Sequence, residues 1–167
     1  MIDAEYCRVM SGYNAWMNRR LYALCATLHE TELKADRGAF FGSIHGTLNH
    51  IMYGDLAFMS RFTGDPETPP PLGEELYADF GQLRAARHAL DARISDWSVT
   101  LTGAWLAEAQ SYTSLVDGVR RTFPRWVIVT HMLNHQTHHR GQVTTLLSQM
   151  GLDMGPTDIT FMPEFQS

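Results

Sequence analysis

The sequence predicts an all-α protein, a four-helix bundle with a possible short β-hairpin before its last helix. Apolar residues recur every three or four positions in four long stretches, which is the spacing that places them on one face of a helix. No strand–helix alternation of the kind that builds a parallel sheet separates these stretches. The chain has 167 residues, 44% of them hydrophobic and 19% charged, which is enough for one core. We therefore expect a single domain over residues 1–167.

The four helices are expected at about residues 3–28, 43–62, 74–96 and 125–150. Ser43 is a favoured residue at the position before a helix begins, and Glu74 and Glu75 suit the positive N-terminal end of the third helix. Gly151 is typical of the position after a last helical turn. The connections are long enough for crossovers, so a simple up-down-up-down order is not required.

The first helix carries polar residues and two cysteines. Asn14, Asn18 and Arg19 lie away from its apolar stripe, so we expect them to face solvent or a partner. Cys7 and Cys25 are separated by about 27 Å of helix, whereas a disulfide needs Cα atoms within about 7 Å. We expect both to be reduced, structural thiols.

Two connections and the tail carry signals of their own. Residues 63–73 include four prolines, which cannot continue a helix and indicate a stiff connector. The β-prone runs Tyr112–Val116 and Val119–Phe123 flank Asp117-Gly118, a turn pair typical of a hairpin. The tail, residues 152–167, is expected to pack as irregular chain across the bundle.

The charge balance and the hydropathy pattern exclude two classes of partner. A net charge of −5 argues against nucleic-acid binding, since phosphate neutralisation requires clustered Lys and Arg. No apolar run has the length of a membrane span, and the first residues have neither the basic nor the apolar region of a signal peptide. We expect a cytoplasmic protein with no nucleic-acid and no membrane partner.

Four histidines lie close together in the expected last helix, at His131, His135, His138 and His139. Residues four apart share one face of a helix, which is how a helix presents two nitrogen ligands to one metal ion. At about 100° per residue, His135 and His139 fall beside the apolar stripe, whereas His131 and His138 fall on the outer side. The sequence predicts His135 and His139 as an inward pair of metal ligands and leaves His131 facing water.

The second helix carries His50, for which the pattern leaves two interpretations open. The apolar residues of this helix point away from His50, as expected for a surface histidine. Yet Gly46, Gly54 and Ala57 lie on the face of His50, and small residues allow another backbone to approach or leave a cavity. A ligand reaching toward a facing helix would need this arrangement. His45 lies nearer the apolar stripe.

Three segments resemble those of a known family. They are Tyr13-Asn14-Ala15-Trp16, then His50-Ile51 with Asp55 and Phe58, and His135-Gln136-Thr137-His138-His139-Arg140-Gly141-Gln142. The last segment is similar to the HxxHHRGQ signature of the DinB-like (DinB/YfiT-like) family of metal-binding four-helix bundles. The resemblance spans nearly the whole chain. The family often has Glu and Trp where this chain has Asp55 and Phe58.

The resemblance implies a site, a topology and an assembly. In the family, one histidine of the second helix and two of the last helix, four residues apart, bind a divalent ion. Carried over to this chain, those residues are His50, His135 and His139. The resemblance also implies an up-down-down-up helix order and frequent homodimers. Its members include transferases that activate a low-molecular-weight thiol on the metal, and metal-dependent hydrolases.

Three neutral imidazoles bind Zn²⁺ or Ni²⁺ and leave coordination positions open, which is typical of a catalytic rather than a closed structural site. We therefore expect a metal-dependent enzyme, of the thiol S-transferase or hydrolase type, that activates a thiol or water toward a small-molecule substrate. The alternative is a noncatalytic metal-binding protein of the stress response or of ligand binding.

Several polar residues are candidates for supporting roles. His138, Asp55 and Asp158 are candidate general acids or bases, and no spacing assigns a role to any of them. Gln142 is expected to support the site or to pack structurally. Arg140 falls near the apolar stripe, so it is expected either to form a structural ion pair or to contact a substrate anion.

Overall fold

The computed structural model describes residues 2–64 and 74–166, and within these ranges it confirms the all-α prediction and the short hairpin. In chain order the elements are α1 (Ala4–Cys25), α2 (Glu30–Lys34), α3 (Ile44–Thr63), α4 (Phe80–Ser98), α5 (Gly103–Ala107), β1 (Ala109–Thr113), β2 (Arg120–Pro124) and α6 (Arg125–Gln149). None of the helices in these ranges combines the length and apolar character that crossing a bilayer requires.

The long helices α3 and α4 begin at their capping residues. The Ser43 hydroxyl accepts a hydrogen bond of 2.9 Å from the Gly46 N–H and starts α3 as predicted. The expected start of the third helix at Glu74 is wrong. α4 begins after Asp79, whose carboxylate accepts a bond of 2.7 Å from the Gln82 N–H. A side chain that accepts from the first free N–H groups competes better for a helix start than acidic residues lying before it.

The first helix ends earlier than its apolar pattern suggests. α1 stops at Cys25 rather than near Leu28, because His29 begins the short helix α2. The His29 ring accepts from the Thr31 N–H, and the His29 N–H donates to the Glu32 carboxylate at 2.8 Å. This reciprocal capping fixes a new helix axis and turns the chain away from α1.

The proline-rich connector predicted for residues 63–73 lies mostly outside the described residues. At its start, Gly64 has a φ of 70° and donates its N–H to the Ser60 carbonyl at 3.0 Å. A left-handed residue in this position closes the last turn, and glycine adopts it without strain. α3 therefore ends at Thr63, close to its predicted end.

The hairpin forms with its strands shifted from the predicted runs. β1 and β2 pair antiparallel with Tyr112 opposite Arg121, so the first strand ends at Thr113 instead of continuing to Val116. The Ser114 N–H donates to the Val119 carbonyl at 3.0 Å, and the intervening residues form a turn longer than the two-residue one expected. β2 runs directly into α6, so the pairing holds β1 at the N-terminal end of that helix.

The four long helices pack out of sequence order. α1 contacts α4 most extensively and α3 contacts α6 most extensively, with smaller interfaces between α1 and α6 and between α3 and α4. The connections from α1 to α3 and from α4 to α6 therefore join helices that do not pack side by side, as their length permits. Core residues with no exposed surface come from each of the long helices: Leu21, Cys25, Ile44, Leu48, Met59, Leu83, Met132, Val143 and Leu147.

The polar side of α1 is buried, and the expectation that Asn14 and Asn18 face solvent is wrong. Each is 1% exposed, because the guanidinium of Arg140 on α6 fills the space between them. It donates to Asn14 Oδ1 at 2.5 Å, to Gln136 Oε1 at 3.1 Å and to Asn18 Oδ1 at 3.4 Å. Only Arg19, of the three polar residues, is exposed.

The same contacts show that the expected structural ion pair of Arg140 is wrong. Among the described residues its partners are neutral amide and hydroxyl oxygens rather than a carboxylate. Arg140 is 2% exposed, and burial lowers the pKa of its guanidinium to about 10. Arg140 thus joins α6 to α1 inside the bundle.

A second buried arginine continues this polar layer. Arg87 on α4 donates to Asp55 Oδ2 at 2.5 Å and lies 2.7 Å from Asp91 Oδ1, which also accepts a bond of 2.9 Å from Asn18. Burial raises the pKa of Asp55 to about 6, although Arg87 acts in the opposite direction. Two arginines and two aspartates give the layer no net charge, which makes its burial tolerable.

Both cysteines are buried and free, as expected. Burial raises the pKa of the Cys7 thiol to about 11 and that of Cys25 to about 12. Both remain protonated at neutral pH, and a protonated, buried thiol is a poor nucleophile. The cysteines therefore belong to the packing of α1.

The tail packs against the bundle, and its contacts with α1 are the clearest. The Tyr13 hydroxyl donates to the Thr157 carbonyl at 2.6 Å, and Met162 is buried against Tyr13 and Met17. Two short 3-10 turns, Ile159–Phe161 and Pro163–Phe165, are the regular structure in this part of the chain. The tail therefore covers the side of α1 that carries Tyr13.

Candidate metal centre

The structure brings His50, His135 and His139 together. α3 supplies the first ring, and α6 supplies the other two from one face, one turn apart. The possible ligand nitrogens of the three lie within 4.8 Å of one another, and the Nε2 atoms of His50 and His135 are 3.0 Å apart. The periodicity of α3 did not decide whether His50 is a surface residue or a ligand. The packing of α3 against α6 brings it to the other two histidines.

Gly54 explains how the rings approach so closely. It lies one turn beyond His50 on α3, directly against the ring of His135. A Cβ atom added at Gly54 would lie 2.7 Å from Cε1 and 3.1 Å from Nδ1 of His135, closer than carbon and nitrogen atoms pack. The prediction that small residues beside His50 allow close approach is confirmed at this position.

Two neighbours orient the rings. Phe41, which precedes α3, stacks on His50 with 3.8 Å between ring centroids. On α6, Nδ1 of His139 lies 2.8 Å from Gln142 Oε1. Because an amide oxygen only accepts hydrogen bonds, His139 carries its proton on Nδ1 and keeps the Nε2 lone pair free. Gln142 therefore supports the cluster through His139.

Burial keeps the three rings neutral. It lowers the pKa of His50 to about 4 and that of His135 to about 3, and neighbouring imidazoles lower both further in the same direction. The pKa of His139, which is 9% exposed, is also lowered by burial. Neutral imidazole is the form that binds a metal ion, so the cluster needs little proton release on binding at neutral pH.

The residues fit a borderline divalent cation. Imidazole nitrogens bind such ions at about 2.0–2.1 Å, so tetrahedral ligand atoms lie about 3.4 Å from one another. The nitrogens of the three histidines bracket that separation. Imidazole suits Zn, Ni, Co and Cu, and three such ligands leave at least one coordination position for another molecule.

The three histidines form part of the wall of a cavity of about 700 Å³. Its other described lining residues come mainly from α3 and the hairpin: Phe40, Phe41, Gly46, Asn49, Tyr53, Gly54, Ala57, Phe58, Arg61, Glu74, Glu75, Tyr112, Ser114, Leu115, Val116 and His131. The exposed surface of the walls is largely apolar and aromatic, and the histidines, Arg61, Glu74 and Glu75 add polar and charged groups to it. A mainly apolar wall with polar groups at defined points is the usual character of a small-molecule site.

Comparison with known proteins agrees with the signature in α6. The model of the DinB family matches residues 1–166. The chain belongs to the DinB family. It is also similar to Protein DinB of Bacillus subtilis (strain 168), with 26% identity over 165 residues that cover 93% of this chain and 92% of that protein.

The candidate acid–base residues of this DinB-family chain lie outside the described wall of the cavity. Asp55 has no exposed surface and is paired with Arg87 in the polar layer. Asp158 is exposed in the tail. His138 is exposed as well, with its ring 4.7 Å from that of His139 and its Nε2 3.4 Å from Gln142 Nε2.

His131 and Arg61 line the cavity of this chain, and the sequence assigned no role to either. His131 is exposed as expected, but it also lines the cavity and its ring lies 5.0 Å from that of Phe58. Arg61 lies on the face of α3 that carries His50, three residues beyond Phe58. The sequence could have indicated this position of Arg61, because residues spaced three or four apart from His50 lie on the same side of the helix.

Substitution of Gly54 tests the close approach directly. We expect Gly54→Ala to lower Zn²⁺ affinity by about 10- to 100-fold, as loss of ligand orientation does, because the added methyl group displaces the His135 ring. The fold should persist, since alanine favours a helix over glycine by about 1 kcal/mol. Competition titration against a chromophoric chelator measures the affinity.

Gly141→Ala is the matched control, since it is the same change on α6 and an added Cβ there meets nothing within 4 Å. It should leave Zn²⁺ affinity unchanged. Equal affinities for the two variants would show that Gly54 has no role in placing His135.

Proposed function

We propose that this DinB-family protein is a metal-dependent enzyme of the thiol S-transferase or hydrolase type, with a divalent cation, Zn²⁺ or Ni²⁺, held by His50, His135 and His139. One observation carries the proposal. Three neutral imidazoles from two helices converge, with nitrogens 3.0 Å apart at the closest, at the wall of a cavity large enough for a small molecule.

The chemistry divides between the cation and the chain. A divalent cation, when bound, lowers the pKa of a water or thiol that it contacts toward neutrality. The chain's own residues hold the cation with three imidazoles, and Gln142 fixes the tautomer of His139. Phe41 stacks on the ring of His50, and Phe58 packs edge to face against that of His131, so apolar rings would lie beside a bound electrophile.

A second function is favoured by the position of the acid–base candidates. His138, Asp55 and Asp158 all lie outside the described cavity wall, so none is placed to exchange a proton with a bound substrate. A protein that binds a metal and a small ligand without turnover, for a stress response or for ligand binding, needs no such residue. His131 is then part of a binding wall.

Turnover measurements separate the two functions. Protein loaded with Zn²⁺ or Ni²⁺ is given a low-molecular-weight thiol with chlorodinitrobenzene, and separately nitrophenyl acetate for hydrolysis. For an enzyme we expect a rate that disappears on chelation and in His135→Ala, but persists in His88→Ala, which alters an exposed residue of α4. Stoichiometric metal without turnover in either assay would support the binding function instead.

A further inference from the structure

The cavity contains an arginine whose guanidinium lies over two aromatic rings. The guanidinium carbon of Arg61, near the end of α3, lies 4.6 Å from the ring centroid of Tyr112 on β1 and 5.3 Å from that of Phe58. An aromatic ring is not a conventional hydrogen-bond acceptor, so these contacts leave the N–H donors of the guanidinium available for an oxygen acceptor. Arg61 lines the cavity, so an acceptor can reach them from there.

Arg61 differs from two arginines of the hairpin region, Arg121 and Arg125, which form ion pairs. Arg121 pairs with Asp117 and Arg125 with Glu108, each at 2.6 Å. Among the described residues, no carboxylate lies within ion-pair distance of Arg61, and no side chain accepts from its guanidinium. Burial lowers its pKa, but a guanidinium stays charged at neutral pH. The cavity therefore holds a positive charge that the described chain does not neutralise.

The acidic residues of the cavity lie toward the other end of α3. Glu75 Oε1 is 3.1 Å from Nε2 of His45, in the first turn of the helix. His45 and Arg61 are sixteen residues apart, which is about 24 Å along a helix axis. Glu74 precedes Glu75 in the chain and is exposed. The cavity is thus acidic at one end and basic at the other, with the histidines between.

From this arrangement we propose that Arg61 binds the carboxylate of an elongated, otherwise apolar substrate whose reacting part reaches the three histidines. The inference deepens the proposed function and rests on it. Phe58 lies between Arg61 and the histidines: its ring centroid is 6.3 Å from that of His135 and 5.3 Å from the Arg61 guanidinium. The separation of Arg61 from the His135 ring cannot exceed the sum of these distances, which a short hydrocarbon chain spans.

Apolar contacts would fill the path between the two ends. Ala57 and Phe58 line the cavity from α3, and Tyr112, Leu115 and Val116 line it from the hairpin. Charge-assisted hydrogen bonds from a guanidinium to a carboxylate are about twice as strong as neutral ones. The structure therefore selects a carboxylic acid over its uncharged analogues of the same shape.

The test compares acids with amides of equal length. Binding of hexanoate, octanoate and decanoate, each against its primary amide, is measured by titration calorimetry on chelator-treated and on Zn²⁺-loaded protein. We expect at least one acid to bind about tenfold more tightly than its amide to the metal-free protein. Arg61→Met should abolish that preference, whereas Arg61→Lys should keep part of it, and metal stoichiometry should be unchanged in both.

Arg125→Met is the matched control. Arg125 also stacks on an aromatic ring, that of Trp105 at 4.7 Å, and also supports the hairpin, through Glu108 and Gln110, but it does not line the described cavity. It should retain the preference for acids. Equal loss in Arg61→Met and Arg125→Met would assign the effect to a loosened hairpin and overturn the proposal.

The outcomes also separate this inference from the proposed function. Wild-type protein that binds acids and amides equally well at every chain length would overturn the role of Arg61, whatever metal it holds. A preference for acids that depends on Arg61, in a protein that takes up no Zn²⁺ or Ni²⁺, would leave the carboxylate site standing and remove the metal-dependent enzyme.

Discussion

His135→Ala and His139→Ala are expected to reduce bound Zn²⁺ or Ni²⁺ from about one ion per chain to nearly none. Each substitution leaves two imidazoles, and even loss of a residue that only orients a ligand lowers metal affinity about 10- to 100-fold. Loss of a ligand should exceed that range. Elemental analysis after dialysis against a defined metal concentration measures the stoichiometry, and anomalous scattering locates the ion.

His50→Ala extends the test to α3. Because His50 comes from another helix, its loss should be as severe as that of either α6 residue if all three share one ion. His88→Ala is the control, since His88 is exposed on α4. The free energy of unfolding should change little in the metal-free variants, because apolar burial holds the bundle. Full metal content in every variant would rule out the three-histidine centre.

Arg87→Met should destabilise the protein by about 3–5 kcal/mol, the range found when one partner of a buried ion pair is removed. Arg87 is 1% exposed, and its guanidinium is the counter-charge of both Asp55 and Asp91. Methionine fills the space of the aliphatic stem but leaves two carboxylates in the interior. Urea unfolding followed by far-ultraviolet circular dichroism gives the free-energy change.

The same substitution one turn earlier provides the control. Arg84 is exposed on α4, so Arg84→Met should change the free energy of unfolding by less than about 0.5 kcal/mol. Adding Asp55→Asn and Asp91→Asn to Arg87→Met should restore much of the lost stability, because the buried charges are then gone. Equal stability of Arg84→Met and Arg87→Met would show that the ion pairs do not hold the helices together.

Local signals in the sequence were sufficient to locate the four long helices and to pair two of the three histidines of the cluster. The spacing of His135 and His139 places both rings on one face of α6 wherever that helix packs. Ser43 caps α3 as its chemistry requires. Asp79 was overlooked in favour of Glu74, although it has the side chain that accepts from a free helix N–H. This error came from ranking the acidic residue above the capping residue. Both signals are local, so the tertiary structure was not needed to avoid it.

The hydrophobic pattern of single helices could not predict which polar residues are buried. We expected Asn14 and Asn18 to face solvent or a partner, because the polar residues of an amphipathic helix normally lie on its outer side. Their partner Arg140 is more than 120 residues away in the chain, and nothing in α1 indicates that a guanidinium will meet them. Arg87 was hidden in the same way among the exposed polar residues of α4.

The sequence alone predicted the four long helices and the hairpin, the face that His135 and His139 share and, through its resemblance to a family, the identity of the third histidine. The packing of the helices brought His50 against His135 across 85 residues of chain, lined the cavity with the hairpin and set Arg61 within it. The periodicity of apolar residues shows which side chains share a face of one helix, because the backbone geometry within a helix is fixed. Distances between helices depend on how all their faces pack at once.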